Sequence, residues 1–203
     1  MYKKPIIVFE GIECSGKSHH IKNVSNYLKK KKIKFIKIRE PGGSQNSEII
    51  RKLILNKKSN FDKMTDLLMY MASRNENFHH ILLKNYKKKI ILIDRFIDST
   101  IAYQHYGMGV NLKIIKYINN FILRNIKVNF TFLNTVNKKN LILRLKKRKN
   151  LNRYDKFNYN FYSKVQNGFL KLSKSKKKYL IINSNLPISQ NKKIIINKLK
   201  KLI

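Results

Sequence analysis

Apolar residues fall along the chain in two alternating rhythms. Compact runs at 6–10, 33–39, 90–94, 129–133 and 179–183 have strand length and offer apolar side chains to both faces. Between them apolar positions recur about every 3.6 residues, as at Ile21, Val24 and Leu28 or at Leu141 and Leu145, the stripe of a helix packed by one face. Doubly apolar strands separated by helices predict an α/β fold, a five-stranded parallel sheet flanked by helices on both sides. Ligands in such a sheet bind beyond the carboxyl ends of the strands. The glycines agree: Gly11, Gly16, Gly42, Gly43, Gly107 and Gly109 follow strands or lie in loops, and only Gly168 sits in a helical pattern. No repeat or low-complexity linker interrupts the pattern, so residues 1–203 are expected to form one domain.

Charge complicates this picture. The formal net charge is +36, which invites a nucleic-acid or anionic-membrane partner. The cations, however, are 38 Lys and 8 Arg, and Lys, Asn and Ile, which share A/T-rich codons, supply 92 of the 203 residues. The lysines are scattered, with dense runs at 29–32, 87–89 and 176–178, where helix ends and loops are expected. Compositional drift accounts for this better than a nucleic-acid function, so no specific nucleic-acid partner is expected. Drift also makes Gly, Arg, Asp and Glu informative, because types it disfavours should persist where chemistry needs them. No apolar run approaches the roughly 18 residues of a membrane span, so no membrane association is expected. The start, MYKKPIIVFEG, carries too short an apolar run for a signal-peptide core. The single cysteine, Cys14, allows no internal disulfide, and a cytoplasmic location is expected.

Candidate chemistry begins at residues 11–18, GIECSGKS, which fit the phosphate-loop pattern G-x-x-x-x-G-K-[ST] directly after the first strand. Gly11, Ile12, Glu13, Cys14, Ser15 and Gly16 would present backbone N–H groups to a polyphosphate, Lys17 would neutralise its β and γ phosphates, and Ser18 would ligand Mg²⁺. A second strand ends in Asp94-Arg95, placing a carboxylate for Mg²⁺ and a guanidinium for a transferring phosphoryl group on the same rim. The turn REPGGS at 39–44 offers Arg39 either as a second phosphate-binding group or as an incidental arginine in a strand-to-helix turn. Tyr70 and Arg74, at i and i+4 of a helical pattern, suit either stacking on a base and gripping its polar edge, or a core tyrosine beside a surface arginine.

These segments, in this order, resemble the thymidylate kinase family over nearly the whole chain. The resemblance runs from FEGIECSGKS through REPGGS, LLMYMASR and IDRFIDSTIAYQ to RLKKRKNLNRYD. The REPGG turn and the DR-aromatic-x-x-S-x-x-AYQ string are far more specific than a phosphate loop. The resemblance implies a phosphate-loop nucleoside monophosphate kinase fold with a mobile lid at about 144–156, and phosphorylation of dTMP to dTDP by ATP with Mg²⁺. It further implies that Arg39 and Arg95 hold the dTMP phosphate and Tyr70 stacks on thymine with Arg74 close by. Thr100 and Gln104 would line the base and sugar, Tyr103 would disfavour a ribose 2′-hydroxyl, and Glu13 would contact the deoxyribose. The family is typically a homodimer. Members carry the arginine that stabilises the transferring phosphoryl either in the phosphate loop or in the lid. Here Cys14 occupies the loop position while Arg144, Arg148 and Arg153 lie in the lid, which looks like the bacterial-type arrangement. The catalytic set expected is Lys17, Arg95, Arg148 and Arg153.

Departures from the family pattern carry their own expectations. Tyr70 replaces a more usual Phe, adding a hydroxyl that needs a partner. His19 and His20 are read as surface helix histidines. Cys14, beside a helix amino terminus, is expected to have a lowered pKa. Asn152 replaces a common acid, which puts the lid's internal ion pairing in question. Two rival functions differ in class: a deoxynucleoside kinase, which needs a carboxylate base, and a nucleic-acid-stimulated ATPase, which the absence of paired basic and aromatic stripes disfavours.

Overall fold

The computed structural model describes residues 3–149, 151–174 and 177–203. Position 150 of the expected lid and position 176 of the last lysine run lie outside that set. Five strands, β1 (Ile6–Glu10), β2 (Phe35–Arg39), β3 (Ile90–Asp94), β4 (Phe130–Thr135) and β5 (Tyr179–Asn183), form one parallel sheet in the order β2-β3-β1-β4-β5. The central strand β1 runs beside β3 with Ile6 opposite Ile91, and beside β4 with Ile7 opposite Phe130.

Side chains alternate across the sheet, so each strand feeds two cores. Ile6, Val8, Ile38, Ile91 and Ile93 pack against α3 (Lys63–Asn77) and α6 (Leu112–Leu123) through Leu67, Met71, Ile115 and Ile122. On the other face Ile7, Phe9, Leu92, Phe132 and Ile182 pack against α1 (Lys17–Lys30) and α9 (Ile188–Lys200) through Ile21, Val24, Leu28, Ile195 and Leu199. A third cluster at the carboxyl end of the sheet joins Ile12, Ile54, Tyr103, Leu133, Tyr154, Tyr162 and Phe169 beneath the site. Truncating a buried Ile or Leu of these clusters to Ala should cost about 2–5 kcal/mol, because the close-packed surroundings relax only in part.

All five strands lie within two residues of their expected positions, and the shifts have local causes. Strand β2 begins at Phe35 because Lys32 adopts a left-handed conformation (φ 55°) and the Ile33 N–H turns back to the Leu28 carbonyl. Strand β4 begins at Phe130 because the Asn129 side chain accepts from the Ile6 N–H at 2.8 Å, and it runs on to Thr135 along β5. The REPGG turn after β2 leads into α2 (Gln45–Leu55), which is N-capped by Ser44 accepting from the Ser47 N–H. Gly43 is required in that turn: its φ is 120°, and a Cβ there would stand 2.7 Å from Asn77 Oδ1 and 2.9 Å from Ile38 Cγ2.

The remaining helices are α4 (Leu83–Asn85), α5 (Ile97–Thr100), α7 (Lys138–Lys146) and α8 (Tyr159–Lys174). Wide π-type turns extend α3 over Phe78–Leu82 and α5 over Ile101–Gly107. Among the described residues between α7 and α8 lies a 3₁₀ turn, Arg153–Lys156. No helix among the described residues is long and apolar enough to cross a membrane.

Candidate active site

The carboxyl ends of β1, β2 and β3 open onto a cleft of about 580 Å³, the place the strand order prescribes. Its floor is the loop 11–18 between β1 and α1. Only glycine fits at Gly11, where φ is 136° and a Cβ would stand 2.2 Å from the Asn134 carbonyl oxygen. Gly16, at φ 85°, turns the chain into α1, whose amino-terminal N–H groups and dipole face the cleft. The loop is braced by side chains of two later segments. Ser184 Oγ donates to the Ser15 carbonyl at 2.7 Å, and Arg144 donates to the carbonyls of Cys14 (3.0 Å) and Ser184 (2.6 Å).

Lys17 is buried and folded onto its own loop, with Nζ 2.9 Å from the Gly11 carbonyl and 2.8 Å from that of Ile12. Burial, reinforced by the Arg95 charge, lowers its pKa to about 8. Ser18 Oγ lies 3.4 Å from Asp94 Oδ2, while Asp94 Oδ1 is buried without a hydrogen-bond partner. Two adjacent hard oxygen donors, one of them unsatisfied, fit Mg²⁺. Among the described residues no three His, Cys, Asp or Glu side chains converge into a metal cage. Such an ion would therefore fill its shell largely from substrate oxygens and water, as Mg²⁺ commonly does.

Opposite the loop, the segment after β3 forms the second wall. Arg95 sits at φ 64°, donates to the Gly11 carbonyl at 2.8 Å and pairs with Glu13 at 2.9 Å. Its guanidinium carbon lies 5.1 Å from the centroid of the Tyr103 ring, whose hydroxyl also bonds Glu13. Beneath them Glu10 is fully buried and accepts from the N–H groups of Phe96 and Ser99 and from Ser99 Oγ. Burial, with the Asp98 charge beside it, pushes its pKa up to about 7. Glu10 therefore ties the phosphate-loop strand to the segment carrying Arg95, Thr100, Tyr103 and Gln104.

The third wall comes from α3, which carries Tyr70 and Arg74. Both line the cleft, one helical turn apart. Arg74 is not a surface arginine: it is 1% exposed and donates to Glu40 (2.8 Å), Asn119 Oδ1 (2.5 Å) and Thr100 Oγ1 (3.0 Å). Its charge is met by Glu40, and its bonds tie the turn after β2 to Thr100 and α6. Gln104 is equally buried, and its Nε2, in the cleft lining, has no partner.

The structure places several residues otherwise than the sequence suggested. Arg39 does not line the cleft; it pairs with Glu48 at 2.9 Å on the surface. Arg51, which the sequence reading passed over, takes the place on that side, with Nη1 donating to the Pro41 carbonyl at 2.5 Å. Its signal was available, because it too is one of only eight arginines. Arg153 does not line the cleft either; its Nη2 bonds Asp66. Arg144 and Arg148 do line it. The Ile12 side chain is core, 1% exposed, so only its backbone belongs to the loop. Cys14 has a raised, not lowered, pKa: burial outweighs the nearby Arg148 and Lys17 charges. His20 is buried, with its pKa lowered by burial to about 4, whereas His19 is exposed at the cleft edge. The ion pairing that Asn152 put in question is supplied by Arg148 and Asp155 at 2.5 Å, with Asn152 and Asp155 forming a capping box.

Comparisons with known proteins follow the same lines. The sequence model of a family described as thymidylate kinase matches residues 9–195. The thymidylate kinase of Sulfurihydrogenibium sp. is 36% identical over 198 residues, covering 96% of each chain. That of Thermosipho africanus is 38% identical over 183 residues, covering 90% of each. The crystal structure of thymidylate kinase from Ehrlichia chaffeensis superposes with a TM-score of 0.79 at 28% identity, covering 97% of this chain and 98% of that one.

Proposed function

The chain belongs to the thymidylate kinase family, and we propose that the cleft at the carboxyl ends of β1, β2 and β3 is where its ATP-dependent phosphorylation of dTMP to dTDP takes place. The reading is carried by one observation. A glycine-bearing loop with Lys17 at a helix amino terminus shares one cleft with Arg51, Arg95, Tyr70 and the unpaired donor of Gln104. Phosphate-binding groups stand on two sides of it and an aromatic wall on the third.

The ATP triphosphate lies along 11–18, accepting from backbone N–H groups and from Lys17, which leaves its own loop carbonyls for the phosphates. Ser18 and Asp94 would hold Mg²⁺, which would supply positive charge to offset that of the triphosphate. The dTMP phosphate lies between Arg51 and Arg95, the thymine beside Tyr70 with Gln104 at its edge, and the deoxyribose near Tyr103 and Glu13. An oxygen of the dTMP phosphate attacks the γ-phosphorus in line, and the bond to the β–γ bridging oxygen breaks, leaving ADP. No protein base is required, since that oxygen is ionised at neutral pH. Arg148 and Arg144 supply positive charge to the equatorial oxygens, and closing of the segment 144–156 over the donor excludes water. One such arginine can contribute on the order of 10³ in rate. The whole chain acts as one kinase domain.

The partner in solution is a second copy of the chain. On α3 and α6, which pack together, Leu68, Tyr117 and Phe121 are exposed by 51%, 74% and 74%, a concentration of apolar surface that pairing would cover. Purified protein with ATP and Mg²⁺ should turn over dTMP far faster than dUMP, AMP or thymidine. Equal turnover of AMP or thymidine refutes the reading.

A further inference from the structure

Arg153 carries a charge at the lid yet turns it away from the cleft, toward a carboxylate on another element. Asp66 lies on α3 one turn before Tyr70 and is 1% exposed. It accepts from Tyr154 Oη at 2.6 Å and from Arg153 Nη2, two neighbouring residues of the turn Arg153–Lys156. The Arg153 guanidinium is further held between the rings of Phe61 (5.6 Å) and Tyr154 (5.0 Å). Tyr154 is itself buried and meets Tyr70 edge-on at 6.3 Å and Tyr103 at 5.8 Å, the two rings that flank the proposed nucleoside site. The same turn reaches the donor side. Asp155 accepts from the Asn152 N–H at 2.7 Å and from Arg148 Nη1 at 2.5 Å, and Arg148 lines the cleft.

From this chain of contacts we infer that Asp66 and Arg153 form a latch that seats the lid turn on the nucleoside wall and thereby aims Arg148 at the transferring phosphoryl group. Both are positioning residues, and the inference rests on the proposed reading of the cleft as the dTMP kinase site. Because Tyr154 is shared between the latch and the Tyr70–Tyr103 wall, an occupied nucleoside site tightens the latch. By reciprocity a seated latch favours the acceptor. The lid arginine is therefore set in place by the acceptor rather than by ATP.

The test combines turnover with hydrogen exchange of a peptide spanning 151–157, with and without dTMP, in the full-length protein. In the wild type dTMP alone should slow exchange of that peptide. Asp66→Asn and Arg153→Met should each abolish the slowing and lower kcat about 10²-fold, the scale of a displaced catalytic group. Their combination should be no worse than the worse single variant. Arg148→Met should lower kcat with the dTMP-dependent protection intact. Arg153→Lys, which keeps the charge, should recover part of both readouts. Tyr154→Phe removes one hydrogen bond to the same carboxylate and keeps the ring, so it should move both in the same direction by less, and it carries the test should Asp66→Asn not fold. The latch is overturned if Arg153→Met lowers kcat while protection survives, which makes Arg153 a catalytic residue, or if Asp66→Asn changes neither readout. A wild type inactive on dTMP overturns the kinase reading and the latch with it; an active wild type with an indifferent Asp66→Asn overturns the latch alone.

Discussion

Replacing Arg51 and Arg39 separately by Ala distinguishes the two arginines that flank the REPGG turn. Arg51 lines the cleft and spends one of its five N–H donors on the Pro41 carbonyl, so most of its fork remains for a phosphate. Among the described residues no carboxylate oxygen lies within 4.0 Å of its guanidinium nitrogens, so its charge, although felt by nearby Glu48, is not met by a direct pair. One or two charge-assisted hydrogen bonds to the dTMP phosphate, at about 1.5–3 kcal/mol each, put the loss in Arg51→Ala at about 2–4 kcal/mol of acceptor binding. That corresponds to a rise of about 30- to 1000-fold in KM for dTMP at saturating ATP, with a smaller fall in kcat. Arg39 pairs with Glu48 where the two side chains are 55% and 36% exposed, a setting worth about 0–1 kcal/mol. Glu48 also keeps its bond from the Gly43 N–H at 2.8 Å, so the turn does not depend on Arg39. Arg39→Ala should leave KM for dTMP within about threefold. A coupled assay of ADP release with dTMP titrated measures both, and thermal melts confirm that the variants are folded. The assignment is refuted if Arg39→Ala raises KM tenfold while Arg51→Ala leaves it nearly unchanged.

Three further outcomes follow from the same geometry. Glu10, whose folded pKa of about 7 lies above its ordinary 4.5, holds a proton in the folded chain that the unfolded chain releases between those values. Stability should fall as pH rises through that window, by up to about 3 kcal/mol, and denaturant titrations at pH 5 and 8 should show a flatter profile for Glu10→Gln. Lys17 must be protonated to meet phosphate, so with its pKa lowered to about 8 the kcat/KM for ATP should decline as pH passes that value in steady-state profiles. Lys17→Met should lower kcat by about 10²–10³ at any pH, and a near-normal kcat would remove it from the chemistry. Phe121→Lys on the exposed face of α6 should shift the mass measured by light scattering from dimer to monomer, and an unchanged mass would exclude that face as the interface.

The five strands and the phosphate-loop glycines were legible because their causes are local: apolar runs, and backbone angles that only glycine takes readily. Burial depends on tertiary packing, which explains the two misjudged side chains of the loop region. His20 sits one turn into α1 among the buried residues of that helix, and the burial of Cys14 outweighs the helix terminus that its sequence position suggests. Neither environment is a property of neighbouring residues in the chain. The buried acids show the same gap. Glu10, Glu40 and Asp66 are each 5% exposed or less, and each organises a wall of the cleft from beneath, yet nothing in the local sequence separates them from surface acids.

Arginine retention against the compositional drift marked the right residue type but not its direction. Five of the eight arginines, Arg39, Arg74, Arg95, Arg148 and Arg153, pair with Glu48, Glu40, Glu13, Asp155 and Asp66, and among the described residues no lysine makes such a pair. Their partners lie between 7 and 87 positions away in sequence, which is why the lid arginine and the turn arginine could not be told apart from structural ones by spacing. Among the described residues the remaining three make no ion pair with a carboxylate. Arg124 lies 5.8 Å over the Phe78 ring, while Arg51 and Arg144 donate to backbone carbonyls and line the cleft. A guanidinium with an acid partner has part of its charge answered within the fold, although Arg148, paired with Asp155 yet 35% exposed in the cleft lining, keeps donors for a substrate oxygen. One held only by carbonyl oxygens keeps its net charge, and in a cleft that charge is available to an anion. On the proposed reading of the cleft, Arg51 and Arg144 therefore stand on the acceptor side and the loop side, where phosphate would be met. Arg95, bound to both Glu13 and the Gly11 carbonyl, lies between them, with enough donors to serve the fold and the substrate together.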